Sequence, residues 1–210
     1  MILSKYFVFL HMPKTGGTFV RRVLVNCAPP EWEVVEVIAL GGAPRNDPNH
    51  PTVRDIPSFY KGLPVFGFVR NPWDWYVSWY EFLKIDGTNA LFNEASDNGR
   101  RGFCETVLRL FASDLARKID VGIFTWYFRE SYGKEPYRIR FLKFENLRQE
   151  LIRALSDVAE ASAAIKETIK STPPLNVSVR KPYKAYYTEE VKELIAAKDR
   201  DLISRFGYVY

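Results

Sequence analysis

The residues best suited to chemistry in this sequence lie in a short loop that follows an apolar segment. The apolar segment is residues 6–10, YFVFL, and the loop is residues 11–18, HMPKTGGT. Glycines allow the backbone to approach an anion closely, a lysine adds a mobile positive charge, and threonines supply hydroxyls. The residues concerned are Lys14, Thr15, Gly16, Gly17 and Thr18. Together they predict a site for a phosphate group.

The elements on either side of the loop are expected to position it. Residues 6–10 form a continuous apolar run, which is typical of a strand buried on both faces of a parallel sheet. Pro13 ends that strand, and apolar residues recur at helical spacing from Phe19 to Leu24. A glycine turn before a helix gathers free amide groups and the positive end of the helix dipole around an anion. The alternative is an ordinary glycine turn that binds nothing.

The loop does not match the Walker A pattern of kinases and ATPases. That pattern places its lysine after the second glycine, whereas Lys14 precedes both Gly16 and Gly17. HMPKTGGT instead resembles the 5′-phosphosulfate loop of sulfotransferases that use 3′-phosphoadenosine 5′-phosphosulfate (PAPS). The resemblance implies a P-loop NTPase-like sulfotransferase fold, with residues 14–18 binding the donor.

A second informative stretch begins where another apolar run, residues 65–69, meets Arg70. Asn71 suits a helix N-cap and Pro72 the first helical position, so a helix is predicted to start here. Its aromatic residues predict burial, and a buried Ser78 needs a partner. Arg70 and Ser78 either find local partners, a carboxylate and a helix carbonyl, or both bind one phosphate.

The order of Arg70, Pro72 and Ser78 resembles the motif by which PAPS-dependent sulfotransferases bind the donor's 3′-phosphate. Trp75 stands where many members of the family have a second arginine. The resemblance covers residues 6–80 well and the remainder loosely. In related enzymes a basic segment near the C-terminus folds over the 3′-phosphate.

By position, Arg180 and Lys181 are the residues of this chain that correspond to that basic segment. A solvated basic turn is the alternative.

Transfer of a sulfuryl group needs a positive charge near the leaving oxygen and a base for the acceptor's proton. Lys14 is the candidate for the charge. His50, in a segment that resembles one preceding the 3′-phosphate strand in carbohydrate-type sulfotransferases, is the candidate base. His11 competes with it, although a role in orienting the loop is favoured for that residue. Glu33 and Glu36 are weaker candidates, since some glycan sulfotransferases use a carboxylate after the first helix.

The spacing of the apolar runs predicts an α/β fold. Strands are expected at residues 6–10, 33–40, 65–69 and 138–144, separated by helices or long connections, which favours a central parallel sheet flanked by helices. At 210 residues the chain is expected to form a single domain, residues 1–210. Residues 86–101 are predicted to form a polar loop, either an active-site lid or an ordinary surface loop.

Composition excludes several classes of function. A net charge of +5 with no basic tract argues against nucleic-acid binding. No apolar run approaches the roughly 20 residues that span a bilayer, and the N-terminal segment lacks a signal-peptide cleavage site. With Cys27 and Cys104 too few for a disulfide framework, a cytoplasmic protein is expected. Two histidines and no acidic cluster give no convincing metal site.

The sequence therefore predicts a metal-independent sulfotransferase that uses PAPS and a small-molecule or carbohydrate acceptor with a hydroxyl or amine group. Two alternatives stay open. One is a small-molecule P-loop kinase, which would need GxxxxGK[ST] and carboxylates for Mg²⁺. The other is a nucleotide-binding module without catalytic activity. The sequence does not identify the acceptor or the oligomeric state.

Overall fold

The computed structural model describes residues 1–37, 50–133, 139–175 and 179–210. The described residues have an α/β architecture in which five strands form one mixed sheet. The strands are β1 (Ile2–Leu3), β2 (Val8–Leu10), β3 (Val35–Glu36), β4 (Val65–Val69) and β5 (Ile139–Lys143). Across the sheet they lie in the order β3-β1-β2-β4-β5.

The sheet is only partly parallel, so the prediction of a parallel sheet was wrong for one half. β2, β4 and β5 are parallel, whereas β1 is antiparallel to both β2 and β3. The cause is the short connection between β1 and β2, closed by a hydrogen bond from the Ser4 amide to the Phe7 carbonyl at 2.9 Å. A parallel pair needs a crossover of about a dozen residues or more, so this connection permits only a hairpin.

Of the strand predicted at residues 33–40, only two of the described residues are in a strand. β3 covers Val35–Glu36 and pairs with β1, while residues 38–40 lie outside the described residues. β4 has the predicted bounds, and β5 lies within the predicted range. The predicted strand at residues 6–10 forms β2 at its carboxyl end.

Ten α-helices accompany the sheet in the described ranges. They are α1 (Gly17–Cys27), α2 (Pro72–Asp86), α3 (Ala90–Ser96), α4 (Phe103–Ala112), α5 (Asp114–Ile119), α6 (Ile123–Tyr132), α7 (Leu147–Ala159), α8 (Ala163–Ser171), α9 (Glu189–Lys198) and α10 (Arg200–Phe206). The start of α2 is as predicted, since the Asn71 side chain accepts a hydrogen bond from the Trp73 amide at 3.1 Å.

The prediction of a polar loop at residues 86–101 was wrong, because α3 lies within it. Asn89 caps this helix by accepting a hydrogen bond from the Phe92 amide at 2.8 Å. Phe92 is fully buried and Ala95 nearly so. An N-cap and two buried apolar residues are enough to form this short helix. The polar composition of the segment had instead suggested a loop.

The chain divides into two compact units, each built from two stretches of sequence. The first unit comprises Met1–Arg70 and Tyr127–Val177, and the second comprises Asn71–Trp126 and Ser178–Tyr210. The sheet lies in the first unit. The single domain over residues 1–210 stays a prediction.

The core of the first unit forms where α1, α7 and α8 cover the sheet. Its buried residues include Phe7, Phe9, Phe66, Phe68, Val20, Val23, Leu151, Leu155, Ile165 and Ile169.

Tyr132 also packs against β4, where its hydroxyl donates to the Phe68 carbonyl at 3.1 Å. A Cβ at Gly67 would lie 2.7 Å from the same hydroxyl, so this strand position requires glycine. Burial of every residue of β2 explains its uninterrupted apolar sequence.

The second unit is organised around the aromatic helix α2. Trp75 stacks on Trp79 with ring centroids 5.7 Å apart and meets Phe124 edge-on at 5.4 Å. Tyr76 is also buried, and its hydroxyl donates to the carboxylate of Asp199 at 2.9 Å. The predicted burial of this helix is confirmed.

Asp199 is a fully buried carboxylate between α9 and α10. Besides Tyr76, it accepts hydrogen bonds from the Thr125 amide at 2.8 Å and the Thr125 hydroxyl at 2.7 Å. A Cβ at Gly122 would overlap this carboxylate, so the chain can pass here only with glycine. Burial raises the pKa of Asp199 to about 6.

Candidate functional site

The candidate site is the loop between β2 and α1 in the first unit. Lys14 has φ 64° and Gly16 has φ 85°, so two residues of this loop adopt left-handed backbone conformations. Such a conformation is ordinary for glycine but unfavourable for lysine. Positions of this kind are retained where the surrounding structure holds them, and they cluster at binding sites. The conformation of Lys14 therefore marks the loop as a functional candidate.

Both glycines of the loop are required by packing within the protein. A Cβ at Gly16 would overlap the Leu147 side chain, and a Cβ at Gly17 would overlap the His11 ring. The glycines thus bring the start of α1 close to α7 and to His11. The sequence suggested a different reason, the close approach of an anion, which the packing neither requires nor opposes.

The first turn of α1 is electrostatically suited to an anion. It contains no acidic residue, and no side chain of the described residues caps it. The positive end of the helix dipole and the first amide groups are therefore not neutralised from within this helix. Thr18, in that turn, is exposed.

Thr15 has a local role in the loop. Its side chain is buried, and its hydroxyl donates to the Met12 carbonyl at 2.7 Å. This bond stabilises the turn that follows β2. Direct contact between Thr15 and a ligand stays a prediction.

Arg70, the first residue of the second sequence motif, contacts the loop. It follows β4, is only 7% exposed, and donates from Nη1 to the Lys14 carbonyl at 2.9 Å. Its guanidinium also lies over the Phe144 ring, 4.3 Å from the ring centroid. Two of its local partners are therefore a backbone carbonyl and an aromatic face. Arg70 therefore supports the unusual backbone of Lys14 and places a buried positive charge beside the loop.

The two histidines, which the sequence left as competing candidates, lie together. The ring centroids of His11 and His50 are 4.6 Å apart, with an angle of 51° between the rings. His11 packs against Gly17 at the start of α1. The structure therefore places both candidate bases beside the predicted anion site.

The two glutamates considered as bases occupy different environments. Glu33 is largely exposed and lies 3.5 Å from the Lys5 ammonium group. Glu36 on β3 forms an ion pair with Arg21 of α1 at 2.6 Å. Arg21 and its neighbour Arg22, one turn beyond the loop, were not identified from sequence; two adjacent arginines following a glycine loop were the available signal.

The remaining predicted residues, Ser78, Arg180 and Lys181, belong to the second unit. Ser78 is buried in α2, and Lys181 is exposed. Arg180 donates from Nη2 to Asp74 in the first turn of α2 at 2.5 Å. Its Nη1 is buried without a hydrogen-bond partner among the described residues. Arg180 thus has a structural ion pair that sequence reasoning missed, and its phosphate role stays a prediction.

Comparison with known proteins assigns no family, since no model of a known protein family and no curated protein matches this sequence. No helix in the described ranges is long and apolar enough to cross a membrane. Within the same ranges, no group of three or more histidine, cysteine, aspartate or glutamate side chains is arranged to hold a metal ion.

Proposed function

We propose that the protein is a sulfotransferase that moves a sulfuryl group from PAPS to a hydroxyl or amine of an acceptor. The observation that carries this proposal is the hydrogen bond from Arg70 to the Lys14 carbonyl, because it brings the first residue of one motif that resembles this family to the loop that forms the other. The first turn of α1, free of acidic residues, and the adjacent histidine pair support it.

The site residues in the first unit have distinct roles in the proposed reaction. The amide groups at the start of α1 hold the anionic end of the donor, and Lys14 offsets the negative charge that grows on its departing 5′-phosphate oxygen. His50 accepts the proton of the acceptor. The acceptor oxygen or nitrogen forms a bond to sulfur as the bond from sulfur to the 5′-phosphate oxygen breaks. Adenosine 3′,5′-bisphosphate is released.

His11 and Arg70 complete the proposed arrangement. His11 orients the start of α1 through its contact with Gly17. Arg70 stabilises the loop and, with Ser78, is assigned to the 3′-phosphate by the family resemblance. No metal is proposed to take part, since Lys14, the helix dipole and Arg70 supply the positive charge.

The test is transfer of radiolabelled sulfuryl from PAPS to a panel of saccharide, phenol, alcohol and amine acceptors in EDTA. We expect Lys14→Ala to slow transfer to every acceptor. His50→Ala should reduce kcat by roughly 10²–10⁴-fold, the usual range for a general base, with nucleotide affinity unchanged. That loss should be smaller for an acidic phenol, which needs less help to lose its proton.

Lys170→Ala is the matched control, because Lys170 is an exposed lysine on α8 of the same unit. Absence of transfer to every acceptor by the unaltered protein would contradict the proposal. Turnover of His50→Ala within a few-fold of the unaltered protein would exclude His50 as the base.

A further inference from the structure

A groove of about 370 Å³ lies beside α1 in the first unit. The polar side chains of the described residues that line it are Thr18, Arg21, Arg22, Asn26 and Glu36. Its volume falls within the range of small-molecule sites, about 300–1,000 Å³. Thr18 belongs both to the groove and to the loop, so the groove adjoins the loop.

The polar residues of α1 follow one face of the helix. Thr18, Arg22 and Asn26 are four residues apart in sequence, a spacing that stacks side chains along a helix. At 1.5 Å per residue, this face extends about 12 Å from the loop. A ligand in the groove can therefore be several bonds long and still present one end at the loop.

Among the described residues that line the groove, one positive charge has no ion-pair partner. Arg21 is paired with Glu36 at 2.6 Å. Arg22 is exposed and forms no ion pair with any residue in the described ranges. A guanidinium binds carboxylate or sulfate groups through two parallel hydrogen bonds. Asn26 and Glu36 add an amide and a carboxylate, which suit hydroxyl groups.

We infer that this groove binds the acceptor, and that the acceptor is a saccharide carrying a carboxylate or sulfate group. The inference rests on the proposed function for the reaction but on the groove for the ligand class. Arg22 binds the oxyanion of one sugar, while a hydroxyl of the neighbouring sugar lies at the loop beside Thr18.

Binding is tested without nucleotide, by calorimetry at low salt, with three tetrasaccharides. One is derived from hyaluronan and carries carboxylates, one is its carboxyl-reduced neutral counterpart, and one is a keratan sulfate fragment that carries sulfate without carboxylate. We expect at least one charged tetrasaccharide to bind about tenfold more tightly than the neutral one, or better, and the comparison between the two identifies the oxyanion.

Arg22→Gln should remove most of that preference. Arg153→Gln is the matched control, because Arg153 is an exposed arginine on α7 of the same unit and does not line the groove. Equal binding of charged and neutral tetrasaccharides would overturn the inference, as would equal affinities of the two variants. Arg22-dependent binding of an acidic peptide in preference to all three saccharides would also overturn it.

Different results would refute saccharide binding in the groove and sulfuryl transfer. Arg22-dependent saccharide binding with no sulfuryl transfer would refute the sulfotransferase and support the saccharide groove. Transfer to uncharged acceptors, undiminished in Arg22→Gln, would support the sulfotransferase and refute the groove.

Discussion

Arg70 follows β4 and contacts the loop, and two of its contacts depend on the shape of a guanidinium. Nη1 donates to the Lys14 carbonyl at 2.9 Å, and the planar group lies over Phe144. Lysine would keep the charge but not the flat stacking surface or the directed donor. We expect Arg70→Lys to reduce the free energy of unfolding by about 1–3 kcal/mol, measured by urea denaturation.

Arg153→Lys provides the control for this measurement, since Arg153 is exposed on α7. If both variants unfold at the same urea concentration, Arg70 does not stabilise the loop. The positive charge of Arg70 would then serve only to bind a ligand.

The residue pairs at the site show why sequence alone was insufficient. Pro13 and the two glycines were enough to predict a turn at the end of β2. The bond between Arg70 and Lys14 joins residues 56 positions apart, so no local pattern reveals it. The clash of a Cβ at Gly16 with Leu147 depends on a helix much later in the chain. Sequence therefore identified the residues, and tertiary packing determined their partners.

At the scale of elements, helix caps and buried strands were predictable because their signals are local. β4 is a continuous apolar run, and α2 and α9 are capped by Asn71 and Thr188, whose side chains accept hydrogen bonds from the following turns. β1 is two residues long, too short to show any periodicity, and only its hairpin with β2 defines it. The error in the sheet follows from that missing strand.

Asn71 allows the contribution of one cap to be separated from a tertiary contact. Its Oδ1 accepts from the Trp73 amide at 3.1 Å, while its Nδ2 donates to the Val209 carbonyl at 2.9 Å. We expect Asn71→Ala to cost about 1–2 kcal/mol of unfolding free energy, because both interactions are lost. Asn71→Asp keeps the cap and loses only the donor, so it should cost less. Equal costs in chemical denaturation would show that the cap contributes nothing.

At the scale of the whole molecule, Asp199 makes stability depend on pH. Burial raises its pKa to about 6, so the folded protein holds this proton more tightly than the unfolded chain. The contribution of Asp199 to stability should therefore be fully present below the unfolded pKa and be lost as the pH rises from about 4 to about 6, by a few kcal/mol at most. Burial and the neighbouring carboxylate raise the pKa of Tyr76, which keeps it a neutral donor.

Asp199→Asn isolates this effect, because asparagine has a similar size and does not titrate. The difference in unfolding free energy between the original protein and the variant should shrink as the pH rises through this window. Exposed carboxylates act on both proteins alike and cancel in the difference. A difference that stays constant between pH 4 and pH 6.5 would contradict the raised pKa of Asp199.

Ligand binding tests the proposed chemistry on the molecule as a whole, without requiring the acceptor. If the loop and Arg70 belong to a donor site, adenosine 3′,5′-bisphosphate should bind the folded protein and not the unfolded chain. At a concentration about 100 times its dissociation constant it should add about 2.7 kcal/mol to the free energy of unfolding. Thermal melts in EDTA measure this, and Lys14→Ala should need more ligand for the same shift. The competing kinase hypothesis predicts the opposite selectivity, stabilisation by ATP with Mg²⁺ and none by the bisphosphate, and that result would refute the sulfotransferase.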